Sequence, residues 1–213
     1  AYADRSADGL AGHVDNACSK SPALTQCATT GFDTAAANLG TNLVSYLRGG
    51  SNAVYRTRFA GDADIPGGIL GDVIGGAPVY VRTPSFTYTE NDYAGFVATV
   101  NATNAGAGRT GVAYVASNDG MLHAFNGSTG AEKWAYVPTM VMDRMYRPAD
   151  ADYENRHEFF VNGAPVVGDI YVPGSPGSWK TILVGGLGGG GRGYYALDIT
   201  DPENPIALWE FSN

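Results

Sequence analysis

The sequence predicts a mainly β protein: a partial β-propeller of about two four-stranded blades, with an N-terminal helix and a disulfide loop. Three observations carry this reading. Gly111–Pro138, GVAYVASNDGMLHAFNGSTGAEKWAYVP, parses as three strands joined by two tight turns. Residues 181–211 repeat the plan about seventy positions later. A Gly-Ala-Pro-Val segment precedes each copy, at 76–79 and at 163–166. Tandem four-stranded units, each closed by a Trp strand, are the pattern of propeller blades. One blade cannot bury both faces, so blades stack in a ring.

Residues 1–70 precede the blades. Residues 1–32 are polar, rich in Ala, Ser, Thr and Asp, and read as an irregular segment. The two cysteines, Cys18 and Cys27, lie in it with Pro22 between them. They predict a small-loop disulfide made in an oxidising compartment, the alternative being two free thiols. A metal site there would lack its remaining Cys or His ligands. Asp33 is a good N-cap for a helix over about 33–48. Ala36, Leu39, Gly40, Leu43 and Leu47 give that helix one apolar stripe, Arg48 sits in its last turn and Gly49-Gly50 stops it. Residues 51–70 read as a connector. Its Asp62-Ala63-Asp64 lacks the spaced oxygens of a calcium loop and reads as a solvated turn.

From Gly71 the pattern turns to β, with blades over about 71–138 and 163–212. An insertion at about 82–110 interrupts the first blade, and its 93–100 part is read as a short helix. In the central stretch, 112–116, 121–125 and 133–137 are the strands. Asn118-Asp119-Gly120 is a turn with positive-φ chemistry, and 127–130 is the second turn. The second copy runs 181–184, a glycine loop at 185–193, then 194–198 and 207–211. It sets Ala196 at the place of Ala124 and Trp209 at the place of Trp134. A closed ring needs about four to eight blades. The chain is therefore expected to be an incomplete propeller, its further blades coming from downstream sequence or another chain. Starting at Ala1 with no signal segment, it reads as a processed protein or an internal piece.

Composition removes several function classes. Thirty glycines and thirteen tyrosines suit short strands and turns, and 16% charged residues suit an extracellular-type protein. A net charge of −8 argues against nucleic-acid binding and against docking on an anionic membrane. No apolar run is long enough for a transmembrane helix.

The motifs with chemical potential each have a plainer structural reading. Gly186–Gly191 satisfies GxGxxG, yet the strand YYALD follows where a dinucleotide fold needs a helix. It reads as a blade-hairpin loop ending at Gly193. Arg192 beside it is a single cation, weak evidence for an anion site. His123 has no matching ligand at metal spacing and reads as a packed histidine hydrogen-bonded between blades. His157-Glu158 lacks the second His of the zinc-protease motif. Asp150, Asp152 and Glu154 read as a solvated acidic loop. Trp134 and Trp209 would stack on a quinone in a quinoprotein, but their repeated position favours interblade packing. Asn101 and Asn126 match the glycosylation pattern, and Asn126 is explained by its turn. Asn118, Asp119, Gly120, His123, Trp134, Gly193 and Trp209 are thus expected to be structural, with no catalytic, cofactor or metal residue.

YVASNDGMLHAFNGSTGAEKWAY resembles a quinoprotein-type propeller repeat. More specifically, SYLRGG, GDVIGGAPVYV, SNDGMLHAF, FFVNGAPVVGDIY and SWKTILVGGLGGGGRGYYALDITDP…LWEF resemble the C-terminal domain of the PilC/PilY family of type IV pilus tip-associated proteins, over about residues 43–213. The resemblance implies a bacterial cell-surface or secreted protein. Such a protein acts at the pilus tip in adhesion, in the balance of assembly and retraction (twitching motility), and in surface sensing, with pilin or minor pilin partners. Some members bind calcium in the intact domain. No loop here matches that site, so calcium is assigned to no residue. The expectation is a non-enzymatic module whose 82–110 and 139–162 connections make contacts. The rivals are a quinoprotein-type dehydrogenase fragment and a structural subunit of an extracellular filament completed by another chain.

Overall fold

The computed structural model describes residues 7–58, 69–103 and 108–213. Two four-stranded antiparallel sheets form its centre. Sheet one runs β1 (Val79–Val81), β2 (Val112–Ala116), β3 (Leu122–Asn126), β4 (Glu132–Tyr136). Sheet two runs β5 (Val166–Val172), β6 (Ser178–Gly186), β7 (Gly193–Asp198), β8 (Ile206–Ser212). Each Gly-Ala-Pro is a lead-in, and the strand begins at the following Val, which keeps the proline out of the ladder.

The internal repeat is visible in the register. Val79, Tyr114, Ala124 and Trp134 form one row across sheet one. Val166, Val184, Ala196 and Trp209 form the equivalent row across sheet two. Both sheets bulge at the same step, between Ala124 and Phe125 and between Ala196 and Leu197, so Lys133 and Leu208 are the extra residues beside the two tryptophans.

The expected helix over 33–48 is two helices. Asp33 caps as expected, its Oδ1 accepting from Ala36 N at 2.9 Å. α2 (Thr34–Ala37) then stops, and α3 (Gly40–Leu47) starts after an extended Leu39 that is left 54% exposed. The break has a tertiary cause. Asn38 Oδ1 accepts from Cys18 N at 2.8 Å and its carbonyl from Asn16 N at 2.9 Å. Gly40 meets the Ala11 carbonyl, where a Cβ would collide. Ala11 belongs to α1 (Ala7–Val14), a helix inside the segment read as irregular, and it packs on α3. Cys18 and Cys27 form a disulfide. The insertion carries α4 (Tyr93–Ala102), longer than expected, and α5 (Thr139–Met142) opens the connection between the sheets.

Val14, Leu43 and Leu47 join Tyr114 and Leu122 of sheet one and Leu183 and Tyr195 of sheet two in one apolar core. Among the described residues no helix is long and apolar enough to cross a membrane. Asp62-Ala63-Asp64 lies outside the described residues.

Candidate functional site

Asn118-Asp119-Gly120 is buried rather than a solvated tip. Only Gly120 has positive φ, +98°. Gly120 N donates to Ser117 O at 3.2 Å and Ser117 N to Met121 O at 3.0 Å, closing a three-residue hairpin loop with glycine at its left-handed position. Asn118 is a hub. Its Nδ2 donates to Asp72 Oδ2 at 2.7 Å and to Asn162 Oδ1 at 3.3 Å, and its Oδ1 accepts from Phe160 N at 3.1 Å. His157 Nε2 meets the other oxygen of Asp72 at 2.8 Å. Burial raises the Asp72 carboxyl, but the bonds from Asn118 and His157 outweigh it and hold it below the usual carboxylate range. One turn thus joins the strap at 71–75 to the start of the second unit. Asn118→Ala leaves Phe160 N and the Asp72 carboxylate short of a partner, and is expected to cost about 2 kcal/mol in urea unfolding.

Asp119 Oδ2 accepts from Gly71 N at 2.9 Å and Oδ1 from Met121 N at 3.1 Å. It also faces His123 Nε2 at 3.0 Å, while His123 Nδ1 faces Glu132 Oε1 at 2.6 Å.

The seam between the sheets is built on Trp134. Its ring lies 5.6 Å from Tyr114 and its Nε1 donates to Pro202 O at 2.9 Å, in the β7–β8 loop of sheet two. Lys133 Nζ pairs with Glu203 at 2.5 Å, and Tyr136 OH donates to Glu210 Oε1 at 2.6 Å. Trp209 occupies the same place in sheet two but is 43% exposed. Val166, Ile170, Tyr194, Ile206 and Phe211 share its face and are also exposed. Sheet one has its apolar face covered, and sheet two has the equivalent face open.

Residues 70–212 match the family model described as the PilY1 beta-propeller domain. The chain belongs to this family. It is 38% identical over 178 residues to a type IV pilus biogenesis factor PilY1 homolog of Xylella fastidiosa, covering 83% of this chain and 14% of that protein. It is 35% identical over 190 residues to the type IV pilus biogenesis factor PilY1 of Pseudomonas aeruginosa strain UCBPP-PA14, covering 85% and 15%. The crystal structure of the Pseudomonas aeruginosa PilY1 C-terminal domain aligns with 62% of this chain and 25% of its own, at 33% identity and a TM-score of 0.46. The chain thus spans about one seventh of the length of the curated relatives it matches.

The two sheets of this PilY1-family chain are therefore propeller blades, tied by contacts that sequence reasoning missed. Arg109 is 5% exposed. Its Nη1 donates to Thr181 Oγ1 at 2.9 Å and its Nε to Arg82 O at 2.5 Å. Thr181 Oγ1 and Tyr93 OH donate to the two oxygens of Asp169 at 2.7 and 2.6 Å. Burial lowers the Arg109 pKa, and the Asp169 charge partly opposes this. Trp179 donates from Nε1 to Asn91 O at 2.9 Å, stacks on Tyr88 at 5.3 Å and meets Tyr93 edge-on at 4.7 Å. Phe86 continues the stack beyond Tyr88 at 5.4 Å. The aromatic density of FTYTENDYAGF is the signal in the sequence for this cluster. The side-chain partner of Arg109, Thr181, stands seventy-two residues away and leaves no local trace.

The remaining motif residues are taken up in packing. Gly193 opens β7 against Met140, where a Cβ would collide with the thioether. In the glycine loop, the Gly190 carbonyl accepts from Arg144 Nη2 at 2.6 Å. Glu158 pairs with Arg144 at 3.3 Å and with Arg147. The Asp150 carboxylate accepts from both the backbone N–H and the hydroxyl of Thr25, and Asp152 accepts from Asn155 Nδ2 at 2.7 Å. Asp150 is 5% exposed and clamps the disulfide loop, so it departs from the expected solvated acidic loop, whereas Asp152 is half-buried and Glu154 is exposed. No group of three or more carboxylate, His or Cys side chains suited to a metal occurs among the described residues.

Proposed function

We propose that this chain is a non-enzymatic, surface-presenting part of a type IV pilus biogenesis factor, acting outside the cell at the pilus. The observation that carries this is the inequality of the two equivalent tryptophans. Trp134 is covered by the next blade, whereas Trp209 and its neighbours form an open apolar face. An exposed patch of this kind marks an interaction site, and repeat equivalence makes its occupant a further blade. The 139–162 connection is bonded over 144–150 to the N-terminal segment and the glycine loop, and its 154–157 part and Phe159 stay exposed. The insertion, with Phe86 39% and Tyr88 41% exposed, offers the aromatic surface for pilin or minor pilin subunits. The disulfide fits an oxidising location. The Trp134 indole is committed to Tyr114 and Pro202, which leaves it unsuited to stacking on a quinone.

Phe86→Asp tests the insertion. Capture of minor pilins is expected to weaken about tenfold or more, the scale of one interface hot spot, while the stability of the chain falls only by about 0.5–1.5 kcal/mol, the worth of one ring contact. Unaltered capture removes the insertion from the interface. Dye-linked alcohol oxidation by the purified protein would overturn the non-enzymatic reading.

A further inference from the structure

His123 is 4% exposed and stands between two carboxylates. Nε2 faces Asp119 at 3.0 and 3.1 Å, and Nδ1 faces Glu132 at 2.6 Å. A neutral imidazole has one N–H and one lone pair, while an ionised carboxylate only accepts. Two carboxylates on two ring nitrogens need two donors, so the arrangement is that of an imidazolium. We propose that His123 is a pH-operated clasp on the blade seam: protonated, it holds Glu132 and fixes the start of β4, and on losing its proton it lets Glu132 go and loosens the contact with the second blade.

Glu132 is the partner that moves. Asp119 is 5% exposed and held by Gly71 N and Met121 N, so its position does not depend on the histidine. The Glu132 side chain is 49% exposed and has water to turn to. Glu132 is separated from Trp134 only by the bulge residue Lys133, and these two residues make the Glu203 and Pro202 contacts across the seam. The other groups around the ring do not titrate there. Phe125 stacks beside it at 5.8 Å, and its register partners are Val115 and Ala135. Asp72, on the neighbouring strap, is bound by Asn118 and His157.

Burial pulls the His123 pKa down, but the bonds and charges of Asp119 and Glu132 outweigh burial and raise it above 6.5. A raised folded-state value sets the sign. The clasp contributes its full stability below pH 6.5 and loses it as pH rises through the raised value.

The test is an imidazole ¹⁵N NMR titration of the chain and of Glu132→Gln, from about pH 5 to about pH 9. His13 and His157, each against one carboxylate, serve as internal references. In the unchanged chain both His123 nitrogens are expected to carry protons at pH 6.5, and the Trp134 indole N–H signal is expected to shift with the His123 midpoint. In Glu132→Gln the midpoint falls and the indole signal no longer follows it. A single neutral tautomer of His123 at pH 6.5, or an indole signal indifferent to its titration, overturns the clasp. Glu132 is on the surface, so this variant keeps the buried pair and folds.

Discussion

Trp134→Ala is expected to destabilise the chain by about 3 kcal/mol, and Trp209→Ala by less than about 1 kcal/mol. The two residues hold one position in two copies of one sheet, opposite Ala124 and Ala196, each beside a bulge. Only their surroundings differ. Removing Trp134 empties a seam lined by Tyr114 and leaves the Pro202 carbonyl without its donor. Removing Trp209 takes a half-exposed ring off an open face, where alanine leaves no buried gap. Urea unfolding of both variants checks this through the midpoints, with equal slopes showing that the denatured states match. Similar losses in both would mean that Trp209 is already covered.

Replacing Cys18 and Cys27 together by Ala is expected to cost about 2.5–3 kcal/mol, from the chain entropy of a loop of roughly ten residues. The consequence extends past the loop. Pro22 O accepts from Tyr146 OH at 2.7 Å, and Gln26 Nε2 donates to Val54 O and Ala149 O at 3.2 and 3.0 Å. Gln26 Oε1 also accepts from Ala151 N at 2.9 Å. The disulfide therefore holds the peptide that clamps the connection between the blades. Thermal unfolding with and without reductant measures the loss, and amide exchange at residues 146–153 should rise with it. Unchanged exchange there would confine the disulfide's effect to its own loop.

The blades were legible because their signals are local. Strand alternation, Asn-Asp-Gly and the second Trp strand each lie within a few residues, and the register sets Trp134 and Trp209 at equivalent places. The helix break at Leu39 was not legible, because it comes from Asn38 reaching back to Cys18 and Asn16. α1 was missed because it is short and acts by packing on Gly40. The sequence shows the turn propensity of Asn118, whereas its role depends on Asp72, Phe160 and Asn162, more than forty residues away. The sequence predicts that His123 is hydrogen-bonded between blades, whereas both its carboxylates, Asp119 and Glu132, belong to its own blade, and Glu132 arrives only through the pairing of β3 with β4.

The central claim is that the Trp209 face of the second blade is completed by a further blade. Hydroxyl-radical footprinting of Trp209 and Phe211, in the 213-residue chain alone and in native material from the pilus, tests it most directly. Both residues should react readily in the chain alone and be strongly protected in the native material, with Phe86 and Tyr88 reactive in the chain alone as the control. Equal reactivity of Trp209 and Phe211 in both samples would contradict it.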